Sequence, residues 1–250
     1  MIEASLMQPL KEDRFRFACN KSLPCFTKCC AKLNLVLTPY DIIRLKNRLN
    51  CPSGYFLENH TTSFVDEAYG VPIVHLKMND DETRRCPFVS PDGCTVYDDR
   101  PGACRIYPLA RAASKVYESH RTGEYYFMVR ESHCLGFCEN REWTIHEWVN
   151  DQGFDKYNAM NDYFLDITAG RTAKSINTLT EQHLKMYYMA CYSLDEFRRF
   201  IFESTFLKRF EIEQDVIRGI EADDVELMKF ASRWLTFSLF GEKTITARNP

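Results

Sequence analysis

Hydrophobic and polar positions are patterned most legibly near residue 40. Thr38-Pro39-Tyr40-Asp41 has the form of a helix start. Thr38 suits the N-cap, Pro39 the first helical position, where its missing amide costs nothing, and Asp41 the positive helix end. Ile42, Ile43, Leu45 and Leu49 then supply one apolar face, so the pattern predicts a short helix over 39–49. Val71-Pro-Ile-Val-His-Leu76 and Tyr125-Tyr-Phe-Met-Val129 predict short strands, and Ser90-Pro-Asp-Gly93 predicts a turn.

From Trp143 onward the pattern becomes helical. Thr144 followed by Glu147, and Ser193 followed by Glu196, both fit a capping box. Phe154, Tyr157, Asn161, Phe164 and Ile167 recur at helical spacing, as do Phe197, Ile201, Thr205 and Phe206, and such stripes are expected to be core packing. Asp223, Asp224, Glu226 and Lys229 are expected on solvated faces of the last helix. The fold class that follows is α+β. A loop-rich region with short strands over 1–140 packs against a mainly helical region over 141–250, and no Gly/Ser- or Pro-rich linker holds the two apart.

A chain of 250 residues can bury a core without disulfides. Its hydrophobic fraction of 45% and charged fraction of 27% are those of a globular protein, while 18 Phe and 13 Tyr enrich the helical stripes. A net charge of −3 argues against a surface for polyanions, so nucleic acid is not an expected partner. Met1–Arg14 has no basic segment leading into an apolar one, so no secretory signal is expected. No apolar run approaches the roughly 18–20 residues of a membrane span. The expected location is cytoplasmic, where thiols stay reduced and dense cysteine patterns point to metal or catalysis rather than disulfides.

That expectation matters because of the 11 cysteines. Cys19, Cys25, Cys29, Cys30, Cys86, Cys94, Cys104, Cys134 and Cys138 all precede residue 140, whereas Cys51 and Cys191 stand alone and are expected to be small hydrophobic or surface thiols. Cys25-x3-Cys29-Cys30, the Cys86–Cys94 pair followed by Cys104, and Cys134-x3-Cys138 form three knots that can turn several thiolates toward one point. The adjacent Cys29 and Cys30 point different ways in most backbones, so the pair could serve two centres or leave one sulfur outside. Ligand softness and the irregular spacing favour an iron–sulfur site, expected as a 4Fe-4S cluster. Zinc is the alternative, since Cys25/Cys29 and Cys134/Cys138 would pass as zinc knuckles. Arg100 and Arg105 flank Cys104 and could offset thiolate charge, or serve as ordinary ion-pair residues. His133 beside Cys134 is either a further ligand or a polar neighbour.

Phe17-Ala-Cys19, the Cys25–Cys30 knot, Leu37-Thr-Pro-Tyr-Asp41, Cys86-Pro-Phe88, Cys94-Thr-Val-Tyr97, Arg100-Pro101 and Cys104-Arg-Ile-Tyr-Pro108 together resemble the YkgJ-type cysteine-cluster family. The resemblance covers about residues 15–138. It implies a zinc- or iron-chelating domain with a CxxCxxCC-like signature, although here five residues separate Cys19 from Cys25 and three separate Cys25 from Cys29. A similar cysteine region occurs in flagellin lysine methylases, which extends the implied functions to a protein-modifying enzyme.

No phosphate loop, nucleophile elbow, zincin helix or radical adenosylmethionine triplet of cysteines occurs, and no catalytic residue is assigned. The leading expectation is a metal-binding protein whose cluster has a redox, sensing or structural role. The alternatives are an iron–sulfur-dependent protein-modifying enzyme and a zinc-stabilised interaction module. The expected partner is a protein substrate or a redox partner.

Overall fold

The computed structural model describes residues 7–10, 12–116, 121–167 and 179–248, and much of the Met1–Arg14 stretch read for a signal lies outside them. In the N-terminal half, β1 (Met7–Pro9) and β2 (Arg14–Arg16) lead into the first cysteine loop, which ends in a single 3₁₀ turn at Lys28–Cys30. β3 (Val36–Leu37), α1 (Pro39–Arg48), α2 (Ser53–His60), β4 (Thr61–Val65) and β5 (Pro72–Leu76) follow. A tight hairpin, β6 (Val89–Ser90) and β7 (Gly93–Cys94), precedes α3 (Gly102–Ile106), and β8 (Leu109–Val116) returns as β9 (Arg121–Val129).

The expected helix over 39–49 is α1. Thr38 Oγ1 accepts from Asp41 N at 3.3 Å, and Asp41 Oδ2 accepts from Thr38 N at 2.8 Å, a complete capping box. Ile42, Ile43 and Leu45 are buried on its apolar face. The expected strand at 71–76 is β5, centre of an antiparallel sheet ordered β3-β5-β4, and every one of its residues is buried. β9 contains the expected Tyr125–Val129 strand and lies between β1 and β8.

β10 (Glu142–Thr144) pairs with β2, setting Trp143 opposite Phe15. α4 (Ile145–Asp151) carries the expected Thr144/Glu147 capping box, complete on both sides. α5 (Asp155–Asp162), α6 (Glu181–Cys191), α7 (Leu194–Glu203), α8 (Phe206–Arg209), β11 (Phe210–Glu211), α9 (Gln214–Ala222), α10 (Asp224–Phe240) and β12 (Thr246–Ala247) complete the described chain. α10 buries Leu227, Met228, Phe230, Ala231 and Leu235, and touches α1, α6, α7 and α9. Phe154, Tyr157, Ile167, Phe197, Ile201 and Phe206 are buried as expected, whereas Asn161 and Phe164 are half-buried and Thr205, at the break before α8, is exposed.

Two local expectations fail for the same reason. Ser193 stands at the N-cap of α7, but its side chain caps nothing. The start of α7 is instead matched to that of α2: Asp195 Oδ2 accepts from Ser53 Oγ at 2.7 Å and from Ser53 N, and Ser53 Oγ accepts from Asp195 N at 3.1 Å. Asp224 is likewise not on a solvated face. It is largely buried between Lys46 (2.6 Å) and Arg198 (2.7 Å), while Glu226 and Lys229 pair with each other nearer solvent. In each case a partner remote in sequence displaces the local arrangement. The hydrophobic core runs without a break from Phe15 and Phe17 through Leu45 and Phe56 to Phe230 and Leu235.

Candidate metal centre

Four segments carry the clustered cysteines, and backbone bonds tie them to one another. The first loop is tied to the last by Ala18 N donating to Gly136 O at 3.1 Å and Phe17 N donating to Arg141 O at 2.9 Å. The approach is so close that a Cβ on Gly136 would lie 2.6 Å from Ala18 O and from the Phe17 ring, so only glycine fits. Residues 30–32 run antiparallel to 84–86 through Cys86 N to Cys30 O and Lys32 N to Arg84 O, both 2.8 Å. The β6–β7 hairpin presents Cys94 on its second strand, where Gly93 has a φ of 120° against the Phe26 ring. α3 presents Cys104. Its first amide, Gly102 N, donates to Asp41 Oδ1 at 2.8 Å, and a Cβ there would crowd Phe154 and Tyr157 at 3.2 Å.

Cys29, Cys86, Cys94 and Cys104 share one electrostatic neighbourhood, in which the charge of one thiolate raises the thiols around it. Burial is the first cause that raises the Cys104 thiol, followed by Cys86, Cys29 and Cys94 among its neighbours. Burial leads for Cys86 as well, with Cys94 and Cys29 adding to it. For Cys94 burial again leads and Cys29 adds. Cys29 is raised far above the usual thiol range, first by its contact with Cys30, whose sulfur lies 3.9 Å away. Cys104 keeps exposed surface as a residue, while burial is the largest cause of the shift of its thiol.

A second group meets the first at Cys29. Cys19 is raised to about 11 by burial and then by Cys29, Cys134 and Cys25. Tyr107 is raised by burial, by contact with Cys134 and by the charges of Glu131 and Cys29. Cys30 joins through its neighbour Cys29 and through its carbonyl on Cys86. Cys138 ends the 3₁₀ turn Leu135–Cys138 and is exposed, as Cys19 and Cys104 are. His133 pairs with Glu131 at 3.5 Å instead of turning to the sulfurs. Cys51 lies between α1 and α2 beside Lys46 and Asp195, and Cys191 is fully buried in α6.

Among the described residues no three His, Cys, Asp or Glu side chains are closed into a metal-binding geometry. The donor set nevertheless fits a soft cation. Crowded thiols raise one another because thiolate charge has nothing to balance it, and a bound cation reverses that logic by deprotonating its thiol ligands outright. Several sulfurs also receive amides: Leu135 N donates to Cys25 Sγ at 3.3 Å, and backbone N–H groups of Phe88 and Val96 favour the thiolates of Cys86 and Cys94. Amide donors of this kind orient a sulfur and stabilise it as thiolate. Arg100, buried, adds positive charge toward Cys94 and Cys104. Arg105 turns away, donating to the carbonyls of Asp98 (2.5 Å) and Gln152 (2.7 Å).

Residues 18–135 match the model of the CxxCxxCC family, described as "Putative zinc- or iron-chelating domain". The cysteine segment is similar to a CxxCxxCC domain. The match takes in eight of the nine clustered cysteines and stops before Cys138. Neither the curated proteins nor the solved structures provide a match to the chain. Among the described residues no helix is long and apolar enough to cross a membrane. Asp41, Gly102 and Tyr107 lie inside the matched residues and Gly136 just after them, and none of the four is singled out by cysteine spacing. Gly136, inside Cys134-Leu-Gly-Phe-Cys138, is the one with a readable signal, a glycine in a tight cysteine turn.

Proposed function

We propose that the CxxCxxCC-like segment holds an iron–sulfur cluster with a redox, sensing or structural role in the cytoplasm. The observation that carries this reading is the convergence of three cysteine segments inside the matched residues: Cys86 N donates to Cys30 O at 2.8 Å beside Cys29, Val89 links Cys86 to its own strand partner Cys94, and the thiols of Cys29, Cys86 and Cys94 raise that of Cys104 after burial. Four thiolates are the ligand set of a 4Fe-4S cluster. Cys29, Cys86, Cys94 and Cys104 are therefore its proposed ligands, with Cys19, Cys25 and Cys134 as the adjoining thiols.

When bound, a cluster of this kind supplies one-electron chemistry at a potential set by charge, hydrogen bonds to sulfur and solvent access. The chain's own contribution is to orient and balance the thiolates. Phe88 and Val96 amides hold Cys86 and Cys94, the Asp41–Gly102 bond holds the helix that bears Cys104, and Arg100 offsets negative charge. The exposed surface of residue Cys104 is the side on which a partner protein would approach.

Anaerobic purification followed by iron, zinc and acid-labile sulfide analysis and a visible spectrum tests the proposal. The expected result is a brown protein with iron and sulfide in equal amounts. A colourless protein that carries zinc and neither iron nor sulfide refutes the cluster and assigns the thiols to zinc.

A further inference from the structure

Tyr107 ends the Cys104-Arg-Ile-Tyr segment just after α3, with its ring edge-on to Phe17 at a centroid distance of 5.8 Å. Its hydroxyl oxygen is buried and has no partner that meets hydrogen-bond geometry. A phenol in that position is unusual, because buried O–H groups nearly always find an acceptor. The groups beside it are Cys134, Cys29 and Glu131. Glu131 is already paired with His133.

We infer that Tyr107 is a positioning residue of the metal centre, whose O–H donates to the Cys134 thiolate and fixes that sulfur beside Cys29. The inference rests on the proposed cluster and concerns a residue that is not itself a ligand. The orphaned hydroxyl then acquires the acceptor it lacks among uncharged thiols, since a thiolate accepts far more strongly than S–H. A donor to a sulfur at the cluster withdraws negative charge and favours the reduced state, as hydrogen bonds to cluster sulfurs do generally.

The test compares wild type with Tyr107→Phe and with a protein carrying difluorotyrosine at 107, a stronger donor of nearly the same shape. Each is purified anaerobically, assayed for iron and sulfide, and titrated for midpoint potential. Full cluster content is expected in all three, with a lower potential in Tyr107→Phe and a higher one in the difluorotyrosine protein. Equal potentials, or shifts of the same sign, overturn the inference. Repeating the Phe comparison in a Cys134→Ser background is expected to abolish the shift, and an undiminished shift there removes Cys134 as the acceptor. If Cys134→Ser loses the cluster, Cys134 is a ligand and the opposite-sign criterion decides alone. A wild type holding zinc refutes the cluster separately. The donor is then read as zinc release to a chelator, expected about tenfold faster in Tyr107→Phe and overturned by an unchanged rate.

Discussion

Asp41 Oδ1 accepts from Gly102 N at 2.8 Å, so the carboxylate that caps α1 also anchors the first turn of α3, the helix that presents Cys104. Through its other oxygen Asp41 completes the α1 capping box with Thr38 N. Asp41→Ala strips the acceptor from two amides and leaves that of Gly102 buried without a partner. The expected cost is about 2 kcal/mol, measured by urea denaturation, with metal per chain falling in parallel because Cys104 loses its fixed position. Wild-type stability and metal content in the variant contradict this role.

Gly136→Ala tests the close approach of the first and last cysteine loops. The new methyl would meet Ala18 O and Phe17 at 2.6 Å, and backbone cannot yield cheaply. Overpacking of this kind costs about 1–3 kcal/mol, and the loops that carry Cys19 and Cys134 should separate. A lowered thermal midpoint together with faster alkylation of Cys19 and Cys134 is expected, and an unaltered alkylation pattern counts against the contact.

The Lys46–Asp224–Arg198 cluster links α1 to α10 and α7. Burial alone would raise the Asp224 carboxyl, but hydrogen bonds from Lys46 and Arg198 outweigh it and hold the pKa below the ordinary value. A carboxyl depressed in the folded state stabilises it above the unfolded pKa of about 3.9. The contribution is lost as pH falls through the folded value. Asp224→Asn should therefore show a smaller loss of urea midpoint than wild type between about pH 5 and pH 3. Asp224→Ala strands the buried Lys46 ammonium, at an expected cost of about 3 kcal/mol near neutral pH.

These residues also show where the sequence runs short. The start of α1, the burial of β5 and the Thr144 cap are legible because each is decided within a few neighbouring residues, by proline at the first helical position, by an apolar run or by a reciprocal cap. Ser193 and Asp224 mislead because their neighbourhoods are completed by Ser53 and Lys46, far away in the chain. The cysteine knots announce a metal centre, but their spacing gives Cys138 the same weight as Cys134. Only the folded chain draws in Tyr107, Asp41 and Gly102, none of which carries a cysteine-like signal.

Removal of the metal should unfold the cysteine loops more than the helices. The sulfur-bearing segments are short loops and turns joined by a few backbone bonds and by Phe17 packed on Tyr107 and Phe137, whereas α6, α7 and α10 share a larger core around Phe206, Phe230 and Trp234. A chelated sample is expected to lose on the order of 5–10 °C of thermal midpoint while far-UV helix signal persists. Hydrogen exchange should localise the loss to residues 17–32, 84–106 and 130–138. Uniform loosening that includes α10 would contradict this division.

Most direct is the iron and sulfide content of single cysteine variants purified without oxygen. Cys29→Ser, Cys86→Ser, Cys94→Ser and Cys104→Ser are each predicted to lose the brown chromophore, while Cys51→Ser, whose sulfur lies outside both thiol groups, is predicted to keep it. Full iron and sulfide in Cys29→Ser and Cys104→Ser together would contradict the proposal that these thiols carry the cluster.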